Sequence, residues 1–289
     1  MKKSILTTIL ILGIAAGEFS CIAQAKMTKL QKKENYLINV ANSGMDSKQY
    51  DIAVEYYTKV LEINPQNAEA YAKRGNAKYL LGKYKDAVKD YTKALEIDPN
   101  RENAYYNRGL AKANLKAYDD VIEDYTKELE LNPNNINAYL NRGTTEVLLG
   151  KYDEAIKDFT SAIKLDENNI DAYYNRGIVK RNKKDYKGAI EDYTKVLQLD
   201  NDNVDAYNNR GVVKYYSKDN NGAIADYTKV IYLNKNFNRA YYNRGIAKLG
   251  LKKYEDAILD FTKELEINQN NDAAYYNRGL AEQNLDHYV

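Results

Sequence analysis

Asparagine returns at Asn107, Asn141, Asn175, Asn209, Asn243 and Asn277, always at an interval of 34 residues. A side-chain amide both donates and accepts, so such a row could grip an extended polypeptide by its backbone without reading its side chains. Directly before the asparagines stand Tyr106, Tyr174, Tyr242 and Tyr276, with Leu140 and Asn208 in the same place of two other copies. Directly after them runs an arginine row, Arg108, Arg142, Arg176, Arg210, Arg244 and Arg278, and Arg74 follows Lys73 one period earlier. A row of opposite sign, Asp90, Asp124, Asp158, Asp192, Asp226 and Asp260, keeps the same interval. The chemistry these rows suit is recognition and ion pairing.

Catalytic chemistry has little to work with. His287 is the only histidine and Cys21 the only cysteine, so no zinc cluster and no histidine-based triad can be assembled. The carboxylates are repeat-locked and alternate with lysines, as between Lys83 and Lys93, which reads as a solvated surface. Lys plus Arg (43) nearly cancels Asp plus Glu (41), so the chain carries no field that would favour nucleic acid or an anionic membrane. Neither a metal, a cofactor nor a small-molecule substrate is expected, and the protein is read as no enzyme.

The element that positions these rows is a repeat. The pattern Ala-Tyr-x-x-Arg-Gly begins at Ala70, Ala104, Ala138, Ala172, Ala206, Ala240 and Ala274. A fixed period of this length means stacked units, each covered by its neighbours, in place of one central core. Within 68–101, Ala70, Tyr71, Gly75, Ala77 and Leu81 recur at helical spacing, and Tyr84, Ala87, Val88, Tyr91, Ala94 and Leu95 do so after Gly82-Lys83. Two amphipathic helices joined by a tight turn satisfy both runs, so the unit is an antiparallel helical hairpin and the fold class is all-α. Counting places from the start of each period, glycine holds place 8 from Gly75 to Gly279, in mid-helix. Glycine there costs about 1 kcal/mol relative to alanine, which implies a close neighbour. The expected neighbour is the aromatic residue at place 24, namely Tyr91, Tyr125, Phe159, Tyr193, Tyr227 and Phe261. Since every recurrent glycine lies within a helix, no phosphate-cradling loop is present. Pro65, Pro99 and Pro133 punctuate the first links, whereas later links are asparagine-rich and must rely on capping and left-handed turns.

The N-terminus has a different composition. Lys2 and Lys3 precede an apolar run from Ile5 to Ala16, too short to span a bilayer but suited to a secretory signal. Ala23-Gln24-Ala25 offers a small-x-small cleavage site, predicting an exported chain, periplasmic or secreted, that starts at Lys26. Cys21 supports the alternative of a lipoprotein anchored to a membrane through that residue. The expected organisation is a signal at 1–25, a basic linker at 26–33 and an array at 34–289. Its repeats are 34–67, 68–101, 102–135, 136–169, 170–203, 204–237 and 238–271, with a partial one at 272–289. The first is degenerate, with Val40 and Ala41 at the Arg-Gly places.

A 34-residue hairpin with Tyr at place 4, Gly at 8, Tyr at 17, Ala at 20, Tyr or Phe at 24 and Pro at 32 resembles the tetratricopeptide repeat family, from Glu34 to Val289. The resemblance implies an α-solenoid, a right-handed superhelix whose first helices line a concave groove. It also implies a scaffold that binds a protein or peptide, since the repeats of the family are not catalytic. Groove residues in the family come mainly from places 2, 5, 6, 9, 12 and 13, which puts the tyrosine and asparagine rows in the groove. Asparagine ladders of this kind hold peptides in some members. Members that clamp acidic chaperone tails carry lysine at place 5 and asparagine at 9, where this chain is mainly aromatic and apolar.

The arginine at place 7, commonly leucine in the family, departs from the pattern. A half-buried arginine is costly unless paired, so the arginine and aspartate rows are expected to form a structural ladder of ion pairs, within repeats or between neighbours. An arginine row that reads an acidic ligand is the competing assignment. Self-association through the array ends, as a structural component of an envelope complex, is the alternative function.

Overall fold

A computed structural model describes residues 27–237 and 239–286. The expected signal, with Cys21 and the Ala25–Lys26 cleavage site, lies outside them, as does His287. The chain divides into two compact units, Met1–Pro133 and Asn134–Val289.

The first unit, described from residue 27, holds helix α1 over 27–46, then α2 (Tyr50–Ile63), α3 (Ala68–Leu80), α4 (Tyr84–Ile97), α5 (Ala104–Asn114) and α6 (Tyr118–Leu131). The second holds α7 (Ile136–Leu148), α8 (Tyr152–Leu165), α9 (Ile170–Asn182), α10 (Tyr186–Leu199), α11 (Val204–Tyr216), α12 (Asn220–Leu233), α13 (Ala240–Gly250), α14 (Tyr254–Ile267) and α15 (Asp272–Asp286). Within each unit consecutive helices pack in order, and the architecture is the all-α repeat array expected, an α-solenoid in class.

One boundary is corrected. The expected linker at 26–33 is helical from residue 27 and runs unbroken into the first repeat. Met27-Thr-Lys-Leu-Gln-Lys-Lys-Glu34 is made of good helix formers without Gly or Pro, so nothing stops the helix growing outward from the packed turn around Leu37 and Ala41.

Helix ends follow from place-specific chemistry. Asn67, Asn135, Asn169 and Asn203 precede the first helix of their repeats and accept a hydrogen bond from the N–H three residues on, for example Asn67 from Ala70 at 2.9 Å. Substituting such a cap typically costs about 1 kcal/mol. Where the cap geometry fails, at Asn103 and Arg239, the residue is left-handed and the helix that follows starts later and is 11 residues long. At the other end of the hairpin, Asp166, Asp200, Asn234 and Asn268 accept from the N–H two residues on, as Asn64 and Asp98 do beside the prolines. This Asx turn is what makes proline dispensable in the later links. Between the two helices of a hairpin, the chain turns through one left-handed residue, Gly82 and Gly150 in two copies and Lys48, Lys116, Lys184, Lys218 and Lys252 in the others.

The glycines at place 8 face the rings predicted for them. A Cβ on Gly75, Gly109 or Gly245 would come within 2.8 Å of the ring of Tyr91, Tyr125 or Phe261, and one on Gly177 or Gly211 within 3.0 Å of Tyr193 or Tyr227. These rings are all but fully buried and sit with the alanines of place 20, Ala87, Ala189, Ala223 and Ala257, in one small core per hairpin. The first repeat shows what happens without the glycine: Ala41, fully buried, shares its core with Tyr57.

Candidate functional site

The arginine and aspartate rows meet inside each hairpin. Arg74 donates through Nε and Nη2 to the two oxygens of Asp90 at 2.8 and 2.7 Å, and the same fork joins Arg142 to Asp158, Arg176 to Asp192, Arg210 to Asp226 and Arg244 to Asp260. Arg108 grips Asp124 in the same way, with Nη2 at 2.6 Å from Oδ1. Pairing is therefore within repeats, because places 7 and 23 face each other across the hairpin. The third arm reaches back: Nη1 of Arg74 donates to the Thr58 hydroxyl at 3.0 Å, whose own proton goes to the Val54 carbonyl. Arg108, Arg176, Arg210 and Arg244 reach Thr92, Thr160, Thr194 and Thr228 of the preceding repeats alike. The guanidinium faces also lie over the place 4 rings, with Arg176 centred 5.5 Å from Tyr173. In Arg74, Arg108, Arg176, Arg210 and Arg244 the fork, the third arm and the face are all occupied, which leaves these arginines nothing for an acidic ligand.

Two partners of this ladder escaped the sequence reading, although periodicity marks both. Threonine fills place 25 in all seven complete copies, and lysine fills place 11 in five: Lys78, Lys112, Lys180, Lys214 and Lys248. Each of these lysines holds the second oxygen of its aspartate at 2.7–2.9 Å, so a buried carboxylate faces two cations.

The copy at 136–169 breaks the rule, with Glu146 at place 11. Glu146 is buried and its Oε2 has no hydrogen-bond partner. Burial, and next the Asp158 charge, push its carboxyl up from 4.5 to about 7, against the pull of Arg142. A folded-state value above the unfolded one means the native state holds the extra proton, so stability is lost as pH rises from about 4.5 through about 7. Glu146→Gln should therefore be near neutral at pH 5 and stabilising by about 2 kcal/mol at pH 8, at about 1.4 kcal/mol per pH unit less a discount for solvent screening. Urea titrations of both proteins at the two pH values measure the difference.

The other face of the first helices carries the asparagine and tyrosine rows. In the second unit a 430 Å³ hollow is lined by Val212, Tyr215 and Tyr216 of α11, by Tyr227, and by Arg239, Tyr242, Asn243, Ile246 and Asn277. In the first unit a 260 Å³ hollow is lined by Met45, Asn76, Tyr79, Leu80, Tyr91, Asn107 and Leu110. Places 6, 9, 12 and 13 supply both walls, places 2 and 5 join them in the second unit, and the place 24 ring supplies the floor. Two of the place 24 phenols are donors: Tyr57 and Tyr91 give their protons to Asn42 and Asn76 at 2.6 and 2.7 Å. Burial raises both phenols, Tyr57 to about 12, so they stay protonated at any physiological pH.

Within this face the predicted residues divide into two groups. The rings of Tyr106, Tyr174 and Tyr242 pack on Tyr125, Tyr193 and Phe261 at 5.7–5.9 Å, whereas Tyr276 is 72% exposed. Asn209 and Asn277 donate to the hydroxyls of Tyr174 and Tyr242, at 2.8 and 3.3 Å, and Asn107 donates to Asn76. Arg181, at place 12 and not singled out in the sequence, donates to the Asn209 carbonyl oxygen. Asn141 is half-buried on its helix. Asn175 and Asn243, also half-buried, have side-chain amides without a partner among the described residues. The row is thus a scaffold of tyrosine-bonded amides with open amides between them.

Residues 41–82, 75–116, 143–183 and 179–217 each match a family model described as TPR repeat. Residues 102–135, 204–237 and 239–271 match a second, described as tetratricopeptide repeat, as does 125–157 a third. No curated protein matches the sequence. Among solved structures, MamA is 29% identical over 56% of this chain and 94% of its own, with a TM-score of 0.54. YrrB, described as a TPR protein with an unusual peptide-binding site, is 25% identical over 70% of this chain and all of its own, with a TM-score of 0.59. A tetratricopeptide repeat protein from Parabacteroides merdae is 22% identical over 87% and 99%, with a TM-score of 0.60, a likeness of fold alone.

Proposed function

The chain belongs to the tetratricopeptide repeat family, and we propose that it is a non-catalytic scaffold whose first-helix groove holds an extended segment of a partner protein. The observation that carries this reading is the pair of open amides, Asn175 and Asn243, both half-buried, with Asn243 in a hollow whose wall is mainly tyrosine rings and aliphatic side chains beside Arg239 and Asn277. A half-buried amide loses part of its hydration and regains hydrogen bonds when a peptide N–H and C=O arrive, so the groove favours a main chain over bulk water. The rings of Tyr215, Tyr216 and Tyr242 add apolar area for alternate side chains of the bound segment. The peptide-binding site named for YrrB supports the same use of the fold. No helix among the described residues is long and apolar enough to cross a membrane. Export follows from the sequence reading of 1–25, with acylation at Cys21 as its alternative, and the N-terminal residue of the mature protein distinguishes the two.

The test is capture of native partners by the full chain and by a variant carrying Asn175→Ala and Asn243→Ala. The double variant is expected to recover the principal partner at less than a tenth of the wild-type yield. Equal recovery by both proteins would overturn the assignment of the groove.

A further inference from the structure

Helix α9 and its neighbours α10 and α11 bring together hydrogen-bond donors that the protein itself does not satisfy. Arg181, half-buried at place 12 of α9, donates through Nη1 to Oδ1 of Asn209 at 3.2 Å and makes no ion pair among the described residues. Its counterparts at place 12 carry no charge, from Tyr79 and Ala113 to Tyr215 and Leu249. The hydroxyl of Tyr193, in α10, is the one tyrosine hydroxyl among the described residues that is buried without a hydrogen-bond partner. The Tyr174 ring meets that of Tyr193 edge-on at 5.9 Å, and its hydroxyl accepts from Asn209 at 2.8 Å while its own proton finds no acceptor among the described residues. Burial raises both phenols, helped at Tyr174 by the charge of Asp205, and Arg181 pulls against the rise at both, so the guanidinium stands beside the two hydroxyls.

We propose that Arg181, Tyr174 and Tyr193 form a subsite for the side-chain carboxylate of an aspartate or glutamate in the bound segment, an inference that rests on the groove reading above. The chain itself shows what satisfies a phenol at place 24. In the first two copies place 9 is Asn42 and Asn76, whose carboxamide oxygens take the protons of Tyr57 and Tyr91. In the copy at 170–203 place 9 is Ile178, which offers no acceptor. A buried donor left unmatched is costly, and an oxygen supplied by the ligand does there what the asparagine oxygen does in the first copies. A carboxylate fits all three groups at once, accepting from the phenols and from the remaining N–H groups of Arg181 while supplying the missing negative charge. A main-chain carbonyl brings one oxygen and no charge, so it leaves the guanidinium unpaired. Asp205 is exposed and forms no ion pair with Arg181, so the guanidinium is not neutralised in advance. The lysine at place 5 and asparagine at place 9 that clamp acidic tails elsewhere are replaced here by Tyr174 and Ile178, and the cation comes from place 12.

The probe is a library of random dodecapeptides selected on the immobilised full chain. Recovered peptides are expected to share an aspartate or glutamate at one position, and its replacement by asparagine or glutamine should weaken binding at least tenfold, followed by fluorescence anisotropy. On a chain carrying Arg181→Met the same replacement should change binding less than twofold, because the charge has lost its partner. Tyr193→Phe should weaken the acidic peptide at least threefold without lowering the melting temperature, since the hydroxyl it removes bonds to nothing in the chain. Peptides recovered without a shared acidic residue, or an acidic residue whose replacement costs as much on Arg181→Met as on the wild type, would overturn the subsite and leave the groove reading standing. Recovery of no peptide, or of peptides whose binding ignores Asn175→Ala with Asn243→Ala, would overturn the groove reading and the subsite with it.

Discussion

Asp192→Ala is expected to destabilise the second unit by about 3–5 kcal/mol, the cost of stripping one member from a buried ion pair. Asp192 is 3% exposed and accepts from Nε and Nη2 of Arg176 and from Lys180 at 2.7–3.0 Å. Without it, a guanidinium and an ammonium face each other in a space that shields neither, and the arm of Arg176 that ties Thr160 loses its anchor. Glu191, one residue earlier and exposed, is the control: Glu191→Ala should change stability by less than about 0.5 kcal/mol. Urea titrations followed by circular dichroism measure both, and equal midpoints for the two variants would mean that the ladder contributes no more than surface pairs do. Because the units of a repeat array unfold with limited cooperativity, the loss is read from the transition of the second unit.

Gly177→Leu should cost about 3 kcal/mol, at the upper end for overpacking. A Cβ alone on Gly177 would stand 3.0 Å from Cε1 of Tyr193, a ring with no exposed surface, and leucine adds three carbons beyond it. Gly279→Leu makes the same change where nothing lies within 4 Å, so only the helix preference of leucine over glycine acts, gaining somewhat under about 1 kcal/mol. Opposite signs for one substitution at one place of two repeats separate the close approach from any general property of glycine. Alanine is a milder probe, since Ala41, fully buried in one core with Tyr57, shows that one methyl can be housed at this place. Thermal melts of the two leucine variants check the sign.

The repeat was legible because copying makes its packing rules visible: a glycine retained in mid-helix must face a close neighbour, and a charge retained in a seam must be paired. Both inferences, Gly177 against Tyr193 and Arg176 with Asp192, came from periodicity and sterics alone. The partners of the ladder at places 11 and 25 were equally periodic, but lysine and threonine on a charged helical surface have an ordinary solvent-facing explanation. Only the geometry of Lys180 and Thr160 around Arg176 removes it. Glu146 was illegible for the opposite reason, since a single exception in a copied sequence carries no pattern. The asparagine row illustrates the limit of counting: Asn175 and Asn209 occupy the same place, yet Asn209 is bonded to Tyr174 and Arg181 while Asn175 is open. That difference follows place 5 of the preceding repeat, which is Tyr174 and Tyr242 before the bonded Asn209 and Asn277 but Leu140 and Asn208 before Asn175 and Asn243, with Arg181 adding a second bond at Asn209. The basic stretch before Glu34 was misread as a linker because composition describes solvation and not continuity, and its helix grows from the packed turn beyond it.

The division of labour between the two faces of the first helix is open to one direct measurement. A segment of the captured partner is titrated by calorimetry against the wild-type chain and against the variant carrying Asn175→Ala and Asn243→Ala, with the melting temperature of each protein recorded. On the proposed function the open amides serve the groove and not the stack, so affinity should fall at least tenfold while the melting temperature stays within about 2 °C, the shift of less than about 1 kcal/mol in a domain of this size. Unchanged affinity, or a loss that appears only alongside a lowered melting temperature, would contradict the assignment of this face to partner binding.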